Sequence, residues 1–403
     1  MHISHRQHFF DHLAQTSDYP LALEIEKAEG VYMYSADGKR YMDLISGIAV
    51  SNVGHRHPKV LAAIHEQLEK HMHLLVYGEF VQNTQVQLAK ALTDTLRVET
   101  ANPSPYGLID NVYFTNSGAE AVEGAMKLAK RFTGRDGFVS CYNAYHGATQ
   151  GALSLAGAEF FKRNFRPLLP GITNIQHGFS PDIEKITEKT AAVVIEIIGG
   201  ESGVREPDDA YFPALRKKCN ETGALLILDE IQTGYGRTGS FWAFEQFGTY
   251  PDILLSAKGM GGGMPIGGFM ASQRIMSVFK NNPILGHITT FGGHPVSCAS
   301  SLAALQVTLE ENLAATAAAK GDLFRSLLVH PEIKEVRGRG LMLAAEMESF
   351  AKLKDTIDHC IERGVVTDWF LFCDNAMRIA PPLTITEDQI REACAVILSV
   401  LNE

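Results

Sequence analysis

The sequence predicts an α/β fold: a large domain built on a mostly parallel sheet, joined to a smaller α+β domain. Three observations carry this expectation. Short apolar runs alternate with helix-patterned segments between about residues 111 and 272. Several of these runs, AAVVIEII (191–198) and ALLILDE (224–230) among them, are apolar nearly throughout, as strands buried on both faces are. Finally, 403 residues are more than one compact core usually serves.

The elements follow in chain order. GVYMYSADGKRYMDL (30–44) reads as two short strands around an Asp37-Gly38 turn. HPKVLAAIHEQLEKHM (57–72) has helical spacing, with Pro58 near its start. NPSPYG (102–107) is a loop. NVYFT (111–115) is a strand and AEAVEGAMKLAKRF (119–132) the helix after it. The strands GFVSCY and AAVVIEII, the helix AYFPALRKKCNETG (210–223), and the strands ALLILDE, DILLSA (252–257) and IGGFMAS (266–272) complete the alternation. From about residue 330 the texture changes to IKEVRGRGLMLAAEM, a helix, MRIAPPLTI and a last helix. The expected division puts 57–310 in a large cofactor-binding domain. Residues 1–56 and 311–403 then form a small domain that is discontinuous in sequence.

Composition narrows the function. A net charge of −10 argues against nucleic-acid binding, since phosphate backbones select basic faces. Cys141, Cys219, Cys298, Cys360, Cys373 and Cys394 are scattered, with no C-x-x-C pair. That fits reduced thiols in a cytoplasmic protein, not a disulfide framework or a zinc ribbon. The N-terminus lacks the apolar core of a signal peptide, and no run is long enough to span a bilayer. His2, His5, His8 and His12 read as a polar helix more readily than as a metal site.

Three motifs carry chemistry. In YFTNSGAEAVEGAMKLAK (113–130), Asn116, Ser117, Gly118 and Ala119 sit where a helix begins. Free N–H groups and the positive end of the helix dipole suit an anion there, commonly phosphate. An ordinary serine N-cap is the plainer alternative. ALLILDEIQTGYGRTG (224–239) ends a strand in Asp229 and Glu230. Side chains alternate along a strand, so only one of the pair can face a site at its carboxyl end. A carboxylate there suits a protonated ring nitrogen; a metal ligand or a helix cap is the alternative. Lys258 follows another apolar strand and precedes Gly259, Gly261, Gly262 and Gly263. A desolvated lysine has a lowered pKa and attacks a carbonyl to form a Schiff base. A phosphate cradle, an acid for a ring nitrogen and a Schiff-base lysine are together what pyridoxal 5′-phosphate needs.

LDEIQTGYGRTG followed by SAKGMGGGMPIGG resembles the class III, pyridoxal-phosphate-dependent aminotransferases of fold type I. The resemblance runs from GVYMYSADGKRYMDLISGIAVSNVGHRHP to MRIAPPLTI. It is greatest to the acetylornithine, ornithine and 4-aminobutyrate aminotransferases. It implies that Lys258 forms the imine and that Asp229 keeps the pyridine nitrogen protonated. Gln232 lies near the ring hydroxyl, and Ser117, Gly118 and Ala119 cradle the phosphate. Tyr145 stacks on one ring face and Ile231 on the other. Thr290, in TTFGGHP, is a phosphate ligand offered to the neighbouring subunit, which implies a homodimer with a shared site. Arg378 takes a substrate carboxylate, and Glu201 neutralises that arginine when an ω-amine enters.

The implied activity is ping-pong transamination from an ω-amino acid or related amine to a 2-oxo acid. An aminomutase or decarboxylase of the same fold is the alternative, and a catalytically silent cofactor-binding regulator a more distant one. Departures from the family pattern bear on substrate. Ala148 stands where relatives carry the arginine of F-H-G-R, which makes pyruvate a rival to 2-oxoglutarate as acceptor. EIIGGE replaces E-P-I-Q-G-E, and His294 stands where relatives often have asparagine.

Overall fold

The structure, a computed structural model, describes residues 5–403. Its first strands are β1 (Ile25–Glu29), β2 (Tyr32–Ser35) and β3 (Arg40–Asp43). β2 and β3 pair antiparallel around the expected turn, where Gly38 takes φ 87°. That left-handed conformation costs glycine little. The helix Pro58–Lys70 follows, with Pro58 at its start.

The central sheet has seven strands. They are β4 (Asn111–Thr115), β5 (Gly137–Cys141), β6 (Ile172–Ile175), β7 (Thr190–Glu196), β8 (Leu225–Asp229), β9 (Ile253–Ser256) and β10 (Gly267–Ala271). Their order is β4-β10-β9-β8-β7-β5-β6. β10 runs antiparallel to β4 and β9, and the remaining pairings are parallel. Every residue of β7, β8 and β9 is buried, which is why those segments read as unbroken apolar runs. β6 carries no such signal. It lies at the sheet edge, with a neighbour on one side only, and its sequence ITNI is half polar.

The helix Gly118–Thr133 packs on this sheet through Val122, Ala125, Leu128 and Ala129, all buried. Ser117 caps its start and Gly134, at φ 70°, ends it. Its contact with β10 is close. A Cβ on Gly124 would fall 2.2 Å from Cε1 of Phe269, so only glycine fits there.

Two smaller sheets complete the chain. β11 (Glu335–Arg339), β12 (Met342–Glu346), β14 (Trp369–Phe370) and β15 (Cys373–Ile379) pair antiparallel in the order β11-β12-β15-β14. β13 (Val365–Val366) instead pairs parallel with β3 and so joins the N-terminal strands. One apolar cluster unites Val31, Met42 and Leu44 with Leu343, Ile379 and Ile390. The two ends of the sequence are thus tied by hydrogen bonds and by burial.

The helix His5–His12 buries none of its residues, and His2 lies outside the described residues. Among the described residues, no group of histidine, cysteine, aspartate and glutamate is arranged to hold a metal. None of their helices is long and apolar enough to cross a membrane.

Candidate active site

A cavity of about 540 Å³ opens where β4, β7, β8 and β9 end, at the carboxyl edge of the parallel strands. Ser117, Gly118, Ala119, Tyr145, Glu201, Asp229, Ile231, Gln232 and Lys258 all line it. Residues far apart in the chain therefore meet because each follows a strand of one sheet.

β4 delivers the helix start. The Ser117 hydroxyl accepts from the Glu120 N–H at 3.2 Å, so the N-cap reading holds. It does not exclude an anion. As the first residues of the helix, Gly118 and Ala119 have no intrahelical acceptor for their N–H groups. Gly118 also lets Ile231 approach, since a Cβ there would fall 2.8 Å from Ile231 Cδ1.

β8 separates the two adjacent acids. Asp229 faces the cavity, and its Oδ1 accepts from the Ile231 N–H at 3.0 Å. Glu230 turns away and caps the turn Ala243–Phe247. It accepts from the N–H groups of Ala243 and Phe244, each at 2.7 Å, and from the Thr233 hydroxyl at 3.1 Å. The helix-cap alternative thus describes Glu230 and not Asp229.

Asp229 has a buried partner that the motif reading passed over. His146 Nδ1 lies 2.7 Å from Asp229 Oδ2. Burial lowers the pKa of His146, but the hydrogen bond and charge of Asp229 outweigh it and hold the pKa up. Glu196 sits beside Asp229 in register on β7. Burial pushes its carboxyl up to about 7, against the pull of His146. Glu196 ends an apolar strand run as Asp229 does, so the same sequence signal was available for it.

Lys258 begins a turn of 3-10 helix at φ 48°, a conformation that L side chains seldom adopt. Its side chain projects into the cavity, and its Nζ has no hydrogen-bond partner among the described residues. Desolvation pushes its pKa down, opposed most strongly by the charge of Glu201. A lysine so placed is a nucleophile toward a carbonyl.

Gln232 packs against Gly200, where a Cβ would fall 1.9 Å from Gln232 Oε1. The glycines of EIIGGE therefore make room for a cavity side chain. Tyr145 and Ile231 supply an aromatic and an aliphatic wall, and Ala148 leaves its part of the lining without a charge.

Two expected residues lie elsewhere. Thr290 is exposed and does not line the cavity; its neighbour Thr289 touches the helix start instead, accepting from Asn116 Nδ2 at 3.3 Å. Arg378, on β15, is buried behind Glu201. Its Nη1 and Nη2 donate to Glu201 Oε1 and Oε2 at 3.0 and 3.1 Å. Its Nε donates to Asp368 Oδ1 at 2.7 Å, and the Phe370 ring lies 4.4 Å from the guanidinium carbon. Asp368 had no sequence signal, because the β14–β15 hairpin brings it back to Arg378.

The site suits a phosphorylated pyridine aldehyde by its own chemistry. It offers an unpaired lysine, a buried carboxylate backed by a histidine, and a helix start with free N–H groups.

Comparison with known proteins agrees. The aminotransferase class-III family model matches residues 13–401. Acetylornithine aminotransferase of Methanopyrus kandleri is 39% identical over 396 residues, covering 97% of each chain. That of Methanosarcina mazei is 40% identical over 91% of this chain and 89% of its own. Among solved structures, ornithine aminotransferase of Toxoplasma gondii superposes with a TM-score of 0.90 at 31% identity, covering 99% of this chain and 94% of that one. A PLP-bound amine transaminase from an uncultivated Pseudomonas species does so with a TM-score of 0.87 at 28% identity, covering 97% of each. The chain belongs to the class III aminotransferases and is an enzyme that works with pyridoxal 5′-phosphate.

Proposed function

We propose that the enzyme moves an amino group from an ω-amino acid or related amine to a 2-oxo acid, by a ping-pong sequence. The observation that carries this reading is the position of Lys258, unpaired and desolvated in a cavity shared with Asp229 and the Ser117–Ala119 helix start.

When bound, the cofactor supplies an electron sink for the carbanion that forms as the donor carbon loses its proton. The chain's own residues do the rest. Lys258 Nζ would hold the aldehyde carbon of the cofactor and, when free, would move the proton at the donor carbon. Asp229, oriented by His146, would keep the ring nitrogen protonated. Ser117, Gly118 and Ala119 would hold the phosphate. Tyr145, Ile231 and Gln232, which line the same cavity, would hold the ring.

Arg378 receives the carboxylate of the 2-oxo acid after Glu201 releases it. Its fork matches a carboxylate with paired hydrogen bonds. The acceptor is 2-oxoglutarate or pyruvate, and the uncharged Ala148 keeps pyruvate in contention. Thr290, exposed near the helix start, is offered to the phosphate site of a second subunit, so the working unit is a homodimer. Six unpaired cysteines suit a cytoplasmic protein.

The test is a titration of the holoenzyme's visible band with single amine donors and no acceptor. N-acetylornithine, ornithine, 4-aminobutyrate, alanine and glutamate are the donors to compare. Bleaching by one donor, reversed by one oxo acid, is the expected result and names both half-reactions. Turnover that proceeds without any second substrate would replace this reading with an aminomutase or decarboxylase.

A further inference from the structure

Arg378 carries two carboxylates at once. Glu201 occupies its Nη1–Nη2 edge and Asp368 its Nε. One guanidinium thus faces two carboxyl groups, one more acid than it can balance. Burial raises the Asp368 pKa, an effect that Arg378 opposes and Glu201 adds to. Burial also raises the Glu201 pKa, but Arg378 outweighs it and holds that acid ionised.

The cavity sees the acidic side of this cluster. Glu201 lines the wall while Arg378 stays behind it. Among charged neighbours, Glu201 acts most strongly on Lys258, where the reacting carbon must come. Ala148, elsewhere in the lining, brings no positive charge. A carboxylate on the reacting carbon would therefore meet Glu201 first. After displacing it, that carboxylate would share Arg378 with Asp368. A plain primary amine meets no such opposition, and a second ammonium on the donor would be attracted.

We propose that Asp368 is a specificity-determining residue: its second negative charge on Arg378 penalises substrates with a carboxylate on the reacting carbon and favours donors whose amine sits on a plain methylene, monoamines and diamines included. This deepens the proposed function and rests on it. Asp368 acts through Arg378, so its role is to position and balance that group, not to react.

The experiment compares wild type with Asp368→Asn and Asp368→Glu as holoenzymes. Asparagine can still accept from Arg378 Nε but carries no charge. Bleaching of the visible band is followed with butylamine and putrescine on one side and alanine and glutamate on the other. A KM for pyruvate is measured alongside. In wild type, the two carboxylate-free amines are expected to bleach the band. In Asp368→Asn, the kcat/KM ratio of carboxylate-free amines to alanine should fall about tenfold, the size expected for removing one partly screened charge at this range. The change should appear in KM for alanine and pyruvate more than in kcat. Asp368→Glu should restore the wild-type ratio, which a merely structural defect would not do. An unchanged ratio in Asp368→Asn overturns the role of Asp368 and leaves transamination standing. Wild type that bleaches with alanine or glutamate but with neither amine overturns the donor class. A band that no amine bleaches overturns the inference together with the transamination reading.

Discussion

His146 and Asp229 form a closed pair, with ring Nδ1 2.7 Å from Oδ2 and both side chains buried. The other ring nitrogen, Nε2, is buried with no partner among the described residues. Removing the ring therefore breaks one charge-assisted bond and exposes Asp229 to the repulsion of Glu196. A hydrogen bond to a charged group is worth roughly 1.5–3 kcal/mol, so His146→Ala should lower kcat about ten- to a hundredfold. Asp229→Ala should cost more, because it removes the acid itself. Steady-state kinetics on both variants, with cofactor content checked by absorbance, tests the order of the two effects. A His146 variant as damaged as the Asp229 variant would contradict it.

Lys258→Ala removes the only amine among the described residues that line the cavity. Turnover should fall by at least about 10³-fold, beyond the usual contribution of a single proton-transfer group, because covalent attachment is lost too. The visible spectrum should shift to that of unattached cofactor, and borohydride should no longer fix the cofactor to the chain. Steady turnover in this variant would end the mechanism.

Glu230 links stability to pH. Desolvation pushes its carboxyl from 4.5 up to about 7, so the fold prefers the protonated acid. The stability that this contributes is complete below the ordinary carboxyl value and is lost as pH rises through about 7. Wild type should therefore lose on the order of 2 kcal/mol between about pH 5 and pH 8 from this group. Glu230→Gln, neutral throughout, should show a shallower fall in Tm over that window. Glu196, also raised to about 7, maintains the remainder of the slope. Equal slopes in thermal melts of the two proteins would refute the assignment.

Arg237 is fully buried, and none of its hydrogen bonds goes to a carboxylate. Its guanidinium donates to the carbonyls of Leu341 and Pro381 at 2.9 and 2.6 Å and to Asn52 Oδ1 at 2.6 Å. Burial pushes its pKa down to about 9, which leaves it charged at neutral pH. It joins three segments distant in sequence. Arg237→Met should leave those acceptors unsatisfied and destabilise the fold by roughly 3 kcal/mol or more. Chemical denaturation at fixed cofactor concentration measures this, and a loss below about 1 kcal/mol would be too small for the role.

Much of the architecture could be read locally. β7, β8 and β9 announced themselves because strands covered on both faces must be apolar at every position. The helix at Gly118 was legible from its cap and its spacing. The edge strand β6 was not, since a half-solvated edge imposes no pattern. The meeting of Ser117, Asp229 and Lys258 in one cavity was equally legible. Asp229 ends a strand and Ser117 and Lys258 each lie two residues beyond one, and the parallel strands of one sheet bring their ends to the same edge.

The choice between neighbouring acids was a different matter. Which of Asp229 and Glu230 faces the cavity depends on the turn Ala243–Phe247, which must be in place to offer Glu230 its donors. The pairing of β3 with β13 depends on chain ends more than three hundred residues apart. The ion cluster at Arg378 depends on a hairpin that returns Asp368 to its guanidinium and on a loop after β7 that lowers Glu201 onto it. Residue order along the chain conveys local pattern and the identity of the reactive groups. The partners of a charge are chosen by folding, because in a desolvated interior its energy depends on what lies within a few ångströms of it, and that distance exists only once the chain has closed on itself.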